Sequence, residues 1–166
     1  MEKRWIALYV ENQVGVLAKI SGLFSGKAYN LASLTVGTTE DETVSRMTIS
    51  VESDDITFEQ IKKQLNRMVE VIKVIDLSDV PIHMKEILYI KIKKISAKDK
   101  EEAFRIAEVF SGEIIDIGVD GLIMAAMLTE HRNNELIELC RKTFHNNIEV
   151  VRGGSVAIES ISTSCR

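Results

Sequence analysis

Residues 5–26 read WIALYVENQVGVLAKISGLFSG, and two periodicities meet inside them. Residues 5–10 are a short apolar and aromatic run that stops at Glu11 and Asn12, the pattern of a buried strand followed by a loop. After Gly15 the period changes. Val16, Leu17, Ile20, Leu23 and Phe24 recur at helical spacing, one apolar stripe about three turns long, and Gly26 marks a helix stop. A strand therefore feeds through a glycine-bearing loop into an amphipathic helix.

Working outward, residues 31–36 and 43–51 read as two further strands around the polar turn 39–42, with Met47, Ile49 and Val51 alternating against Thr48 and Ser50. Thr57 with Gln60 reads as a capping box, after which Phe58, Ile61, Leu65 and Met68 mark the inner face of a second helix. Residues 71–77 return as a strand. The order β-α-β-β-α-β is the split βαβ of ferredoxin-like folds, two helices on one face of a four-stranded antiparallel sheet. Pro81, the only proline, places a linker over residues 78–85. The second half repeats the order without repeating the residues. Residues 87–95 are a strand, and Ser96 with Asp99 caps a helix carrying Ala103, Ile106, Ala107 and Phe110. Residues 113–119 and 122–128 flank Asp120-Gly121, a two-residue hairpin signal that asks for φ > 0 at both positions. Residues 134–144 are a helix and 148–151 a strand, and Gly153-Gly154 reads as a turn before a possible extra strand over 155–161. The expected fold is α+β, two tandem ferredoxin-like domains, with boundaries 1–78, a linker 79–85, and 86–166.

Composition narrows the function classes. With 166 residues, 45% apolar and 28% charged, the chain has the makings of folded cores. A net charge of -4 argues against a surface built to neutralise phosphates, so no nucleic-acid partner is expected. No apolar run approaches the roughly 20 residues a bilayer span needs, and no signal peptide is expected, which together imply a cytoplasmic protein without a membrane partner. Cys140 and Cys165 form neither a disulfide framework nor a zinc pair, and His83, His131 and His145 have no ligand spacing, so no metal site is expected. No phosphate loop or nucleophile elbow occurs, and Cys140 falls on the apolar side of its helix, so no catalytic residue is assigned. Lys91, Lys93 and Lys94 make a basic stripe that reads as a solvated face.

The chemically informative place is the first strand-to-helix junction, Asn12-Gln13-Val14-Gly15-Val16. The first N–H groups of a helix lack internal partners and carry the positive end of its dipole, which suits a carboxylate. Gly15 has no Cβ to keep a ligand off the backbone, and the Asn12 amide oxygen can accept from an ammonium. Asn30, at the start of the next strand, supplies a second amide. The plain alternative, that Asn12 is an N-cap or turn residue, Gly15 a turn glycine and Asn30 a turn at a strand start, is the favoured reading on spacing alone, because each residue has an adequate local job.

The stretch VENQVGVLAKISGLFSGKAYNLASLTVGTTEDETVSRMTISV, continued by EQIKKQLNRMVEVIKVIDL and more loosely by AEVFSGEIIDIGVDGL, resembles the small regulatory subunits of acetolactate (acetohydroxyacid) synthase. Their ACT domain carries E-N-x-x-G-V-L, G-L-F, Y-N-I-x-S-L-T-V-G, T-E-D and S-R-M-T-I. The chain departs from that pattern at Ala28, where the family has glycine before the Tyr-Asn pair, and at Val14, where it often has proline. The resemblance implies effector contacts at Asn12, Gly15 and Asn30, with Val16, Leu17, Leu31 and Val36 beside them. It implies a homodimer or higher assembly whose ACT sheets associate side by side and hold valine, isoleucine or leucine between protomers. It implies a catalytic large subunit as partner, which bears thiamine diphosphate, Mg²⁺ and FAD, while this chain carries no cofactor and no catalysis of its own. The rival expectations are an ACT-type sensor serving another partner and a ligand-free oligomerisation module.

Overall fold

The computed structural model describes residues 2–78 and 80–161. The first half contains β1 (Glu2–Glu11), α1 (Val16–Gly26), β2 (Asn30–Thr38), β3 (Val44–Ser53), α2 (Asp55–Leu65) and β4 (Val71–Asp76). The second contains β5 (Ile82–Lys93), α3 (Ala97–Val109), β6 (Glu113–Ile117), β7 (Gly121–Leu128), α4 (Glu130–Thr143) and β8 (Ile148–Glu159). The strands form two four-stranded sheets, ordered β2-β3-β1-β4 and β6-β7-β5-β8, the tandem βαββαβ architecture that the periodicities imply.

Each sheet packs one face against its two helices. In the first, Ile6, Leu8 and Val10 of β1 and Met47, Ile49 and Val51 of β3 meet Ile20 and Phe24 of α1 and Phe58, Ile61 and Leu65 of α2. In the second, Leu88, Ile90 and Ile92 of β5 and Leu122, Met124 and Ala126 of β7 meet α3 and α4, where Cys140 is fully buried. Burial pushes the Cys140 thiol up to about 12, so it is a small core residue and no nucleophile. Cys165 lies outside the described residues.

Several local expectations are corrected. The N-cap of α2 is Asp54, whose extended backbone lets its carboxylate accept the Thr57 N–H at 2.7 Å; the capping box expected at Thr57 and Gln60 starts a turn too late. A carboxylate at a helix N-terminus is favoured by the exposed amides and the dipole, and the Thr57 hydrogen bonds hold the Asp54 acid below its ordinary value. The β6–β7 hairpin closes at Gly118–Gly121, with Gly118 N–H donating to Gly121 C=O at 2.8 Å, and neither Asp120 nor Gly121 has positive φ. The Lys100 ammonium of α3 holds this longer turn by donating to the carbonyls of Gly118 and Val119 at 2.7 and 2.6 Å. Gly121 is needed for close approach instead: a Cβ there would lie 2.7 Å from the Ile92 carbonyl oxygen. Gly153-Gly154 is no turn, because β8 runs unbroken through it and Gly154 takes φ +78 within the strand.

The chain divides into two compact units, residues 1–83 with 156–166, and residues 84–155. The expected linker 79–85 is thus strand from Ile82 onward, and the expected second domain 86–166 gives up its last stretch to the first unit. The reason is visible on the helix-free face of the first sheet. Ala7, Thr48 and Ser50 point away from the helices, yet they are as buried as the core. Ala157 of β8 is itself 1% exposed, and its carbonyl accepts a hydrogen bond from Nη1 of Arg46. Glu159 pairs with Nη2 of the same guanidinium at 3.2 Å, and the guanidinium lies over the Tyr9 ring. Of the tail 159–166, residues 162–166 lie outside the described part.

Candidate functional site

The β1–α1 junction has the features that suit an anionic ligand. Gly15 is the N-cap of α1 at φ +88, a left-handed conformation that side-chain-bearing residues rarely adopt, and no side chain caps the helix start. A Cβ placed on Gly15 would meet nothing within 4 Å, so the space in front of the loop is open. The first turn of α1 holds no acidic residue. Asn12 is tethered at both levels: its backbone N–H donates to Thr43 C=O at 2.7 Å and its Nδ2 donates to Glu42 C=O at 2.8 Å. The amide nitrogen is therefore engaged with the β2–β3 turn, and the amide's acceptor is its oxygen. Nearby, Lys19 pairs with Glu70, and Glu11 N–H donates to Glu70 C=O, which ties the loop to the segment preceding β4. Val16 is buried in the core, Leu17 is 44% exposed on the outer side of the helix, and Val14 is wholly exposed at the loop tip.

Asn30 is not brought to this junction within one chain. Glu52 of β3 is the register partner of both Asn30 and Lys3, so Asn30 is level with the beginning of β1, whereas Asn12 follows its end. β1 and β2 are both antiparallel to β3 and hence run in the same direction, as a βαβ crossover requires. Nine residues at about 3.3 Å each separate the two amides by roughly 30 Å along the sheet. Within one protomer the second amide therefore does not reach the Asn12–Gly15 loop. Asn30 Nδ2 donates to Glu52 Oε2 at 3.3 Å and is otherwise exposed. Leu31 is half-buried beside it, while Val36, 47% exposed, lies on the same edge strand toward the junction end.

Ala28 has φ +54, a left-handed backbone that glycine would take without strain. The α1–β2 connection closes through Tyr29 N–H to Phe24 C=O at 3.0 Å.

In the second unit a cap and a buried carboxylate are each held by side chains of the chain itself. Ser96 and Asp99 form a reciprocal capping box at the start of α3, and the Ser96 hydrogen bonds hold the Asp99 carboxyl low. Glu86, 4% exposed, receives Nε and Nη2 of Arg152 at 2.9 and 2.6 Å and Nδ2 of Asn133 at 3.1 Å. Burial pushes the Glu86 acid upward, but these hydrogen bonds and the Arg152 charge outweigh it and hold the group below its ordinary value. Among the described residues no cluster of three His, Cys, Asp or Glu could hold a metal ion, and no helix is long and apolar enough to cross a membrane.

Comparison with known proteins covers both halves. Residues 6–73 match the family described as AHAS small subunit-like ACT domain, and residues 85–161 match the family described as small subunit of acetolactate synthase. The chain is 40% identical to the acetolactate synthase small subunit of Aquifex aeolicus over 95% of its own length and 81% of the relative's. It is 42% identical to the acetolactate synthase isozyme 3 small subunit of Salmonella typhimurium over 69% of its length and 70% of the relative's. The crystal structure of the small subunit of acetolactate synthase from Thermotoga maritima superposes with a TM-score of 0.87 at 32% identity, covering 98% of this chain and all of that one.

Proposed function

Since the chain belongs to the acetolactate synthase small-subunit family, we propose that it is the regulatory subunit of that enzyme, activating a catalytic large subunit and making it responsive to a branched-chain amino acid. The observation that carries the reading is the start of α1: a left-handed glycine, no capping side chain, open space before it, and Asn12 alongside. The unpaired amides and the dipole suit the ligand's carboxylate, and the Asn12 oxygen suits its ammonium.

The second amide comes from another copy. β2 is an edge strand, with free backbone groups able to pair with β2 of a partner. A two-fold antiparallel pairing about Leu34, midway between Asn30 and Thr38, sets Asn30 of the partner subunit opposite Thr38, at the junction end of the sheet. Each effector site is then built in trans, with Asn12, Gly15, Val16 and Leu17 from one protomer and Asn30 and Leu31 from its partner, and Val36 on the edge between them. Valine, isoleucine and leucine have aliphatic side chains that match Leu17, Leu31 and Val36.

Regulation follows by linkage. An amino acid that binds one arrangement of the dimer more tightly shifts the attached catalytic chain by that difference, on the order of 1–3 kcal/mol. Thiamine diphosphate, Mg²⁺ and FAD belong on this reading to the large subunit, in a cytoplasmic holoenzyme, and this chain carries no catalytic step. The test is reconstitution. The chain alone should condense no pyruvate, should raise the activity of its large subunit, and should confer inhibition by at least one of the three amino acids. Pyruvate condensation by the purified chain, or a reconstituted complex indifferent to all three, would refute the reading.

A further inference from the structure

The helix-free face of the first sheet poses a question that the effector site does not answer. A strand such as β3, with apolar residues inward and Thr48 and Ser50 outward, is built for one solvated face. Yet Thr48 and Ser50 are 2% and 0% exposed, and Ala7 beside them is 0%. Residues 156–159 group with the first unit, and Val156 lines one hollow with Thr48 and Arg46, while Ser50 is paired with the Ser33 hydroxyl at 2.9 Å. One side chain grips residues 156–159 at two points. Arg46 donates to the Ala157 carbonyl and pairs with the Glu159 carboxylate, while its flat face covers Tyr9. A guanidinium presents several donors in one plane, so it can hold a backbone carbonyl and a carboxylate of a crossing strand together.

Arg46 also has a place in the sheet that matters. Its register partners are Tyr9 on β1 and Gly37 on β2. Gly37 lies between Val36 and Thr38, the part of β2 at the junction end. The same segment and Val156 line a hollow of about 220 Å³ with Arg46 and Thr48, and Glu159 lines a second of about 360 Å³ with Tyr9 and Lys73. Val156 thus borders the first hollow and Glu159 the second.

We propose that residues 156–159 are a strap belonging to the first unit, that Arg46 is its latch, and that the seated strap holds the Val36–Thr38 end of β2 in place. With the latch closed, Gly37 is backed by a residue immobilised on both sides. With it open, Arg46 and the strand end opposite it are free to shift, and the two hollows offer room for that movement. The structural part stands on contacts in this chain alone. Its bearing on effector response rests on the reading proposed above, because that reading puts the junction end of β2 at the interface between copies.

Hydrogen exchange on the full chain, read by mass spectrometry, tests it. In Arg46→Met, which keeps the methylene stem but not the fork, amides of 156–159 should exchange about tenfold faster or more, since a charge-assisted contact is lost. Those of 36–38 should follow, with the core of β1 still protected. Arg46→Lys should fall between, and Glu159→Gln should give the smallest change, because the Ala157 contact remains. Native-rate exchange of 156–159 in Arg46→Met would overturn the latch. A freed strap with 36–38 unaltered would overturn its hold on β2. Should Arg46→Met loosen β1 as well, Arg46→Lys and Glu159→Gln decide by the same peptides. In the reconstituted complex Arg46→Lys should displace the amino-acid inhibition curve; a native complex that ignores every effector sinks the effector reading and leaves the exchange result to judge the strap.

Discussion

The two units share one topology and differ at the same structural position. Where β1 meets α1, the helix begins at a left-handed glycine with no side-chain cap; where β5 meets α3, it begins at Ser96, reciprocally capped with Asp99. In the second unit the Asp99 carboxylate accepts the Ser96 N–H at 2.8 Å, whereas the start of α1 meets no carboxylate of its own chain. A ferredoxin-like fold offers one such helix start per βα unit, and these two differ in whether a side chain of the chain caps it. The same contrast holds for charge. The second unit encloses Glu86 with Arg152 and Asn133, whereas the amides of Asn12 and Asn30 stay exposed.

The largest effect on this contrast should come from giving the first junction an acid of its own. Gly15→Asp strains a left-handed position and sets a negative charge where the ligand's would lie, so effector affinity should fall by more than about 100-fold. Inhibition curves of the reconstituted complex measure it. Ser96→Ala, the matching lesion in the second unit, should leave those curves in place while costing about 1 kcal/mol of stability by denaturant titration. Equal effects of the two would erase the distinction.

Asn30→Ala removes one amide from the proposed interface and should weaken inhibition by ~10- to 150-fold, the value of one hydrogen bond to a charged group. Activation of the large subunit should persist. An unshifted curve for both Asn30→Ala and Gly15→Asp would show that the ligand binds elsewhere.

Glu86 sharpens the contrast through pH. Its folded pKa lies below the ordinary 4.5, so its contribution is present above that value and is lost as pH falls through the folded pKa. Glu86→Gln should cost about 2 kcal/mol near neutral pH, allowing for the partial exposure of Arg152, and should flatten the fall in stability below pH ~4.5. Circular dichroism follows the whole chain, and Trp5, the only tryptophan, reports the first unit alone. A parallel pH profile in Glu86→Gln and the native chain would assign acid sensitivity to other carboxylates. The smallest effect is expected at Ala28. Ala28→Gly relieves a left-handed alanine but frees the unfolded chain, for a net gain of at most about 1 kcal/mol in the same titration.

Much of the fold is legible because each element states its period: the 3.6-residue stripe of α1, the alternation of β3, the Ser96–Asp99 cap. The unread parts depend on contacts that no local pattern encodes. Asp54 caps α2 because its backbone is extended there, and Thr57 in the adjoining turn looked like the cap itself. The turn at Gly118–Gly121 is held by Lys100, and β8 continues through two glycines because Gly153 passes close over Ile87, where a Cβ would come within 2.4 Å of its Cγ2. The residues of the candidate site could be named from sequence, since loop glycines and amides mark themselves. Their distance apart could not, because that follows from strand direction and sheet order.

That distance gives the assembly a genetic property. With Asn12 and Asn30 at opposite ends of the sheet, the two-fold pairing proposed above would give every chain two half-sites and the pair two whole sites. A mixed pair of one Gly15→Asp chain and one Asn30→Ala chain gathers both lesions into a single site and leaves the other intact. Two subunits that each weaken feedback alone should therefore restore part of it when co-expressed, an intersubunit complementation that a site contained within one chain could never display.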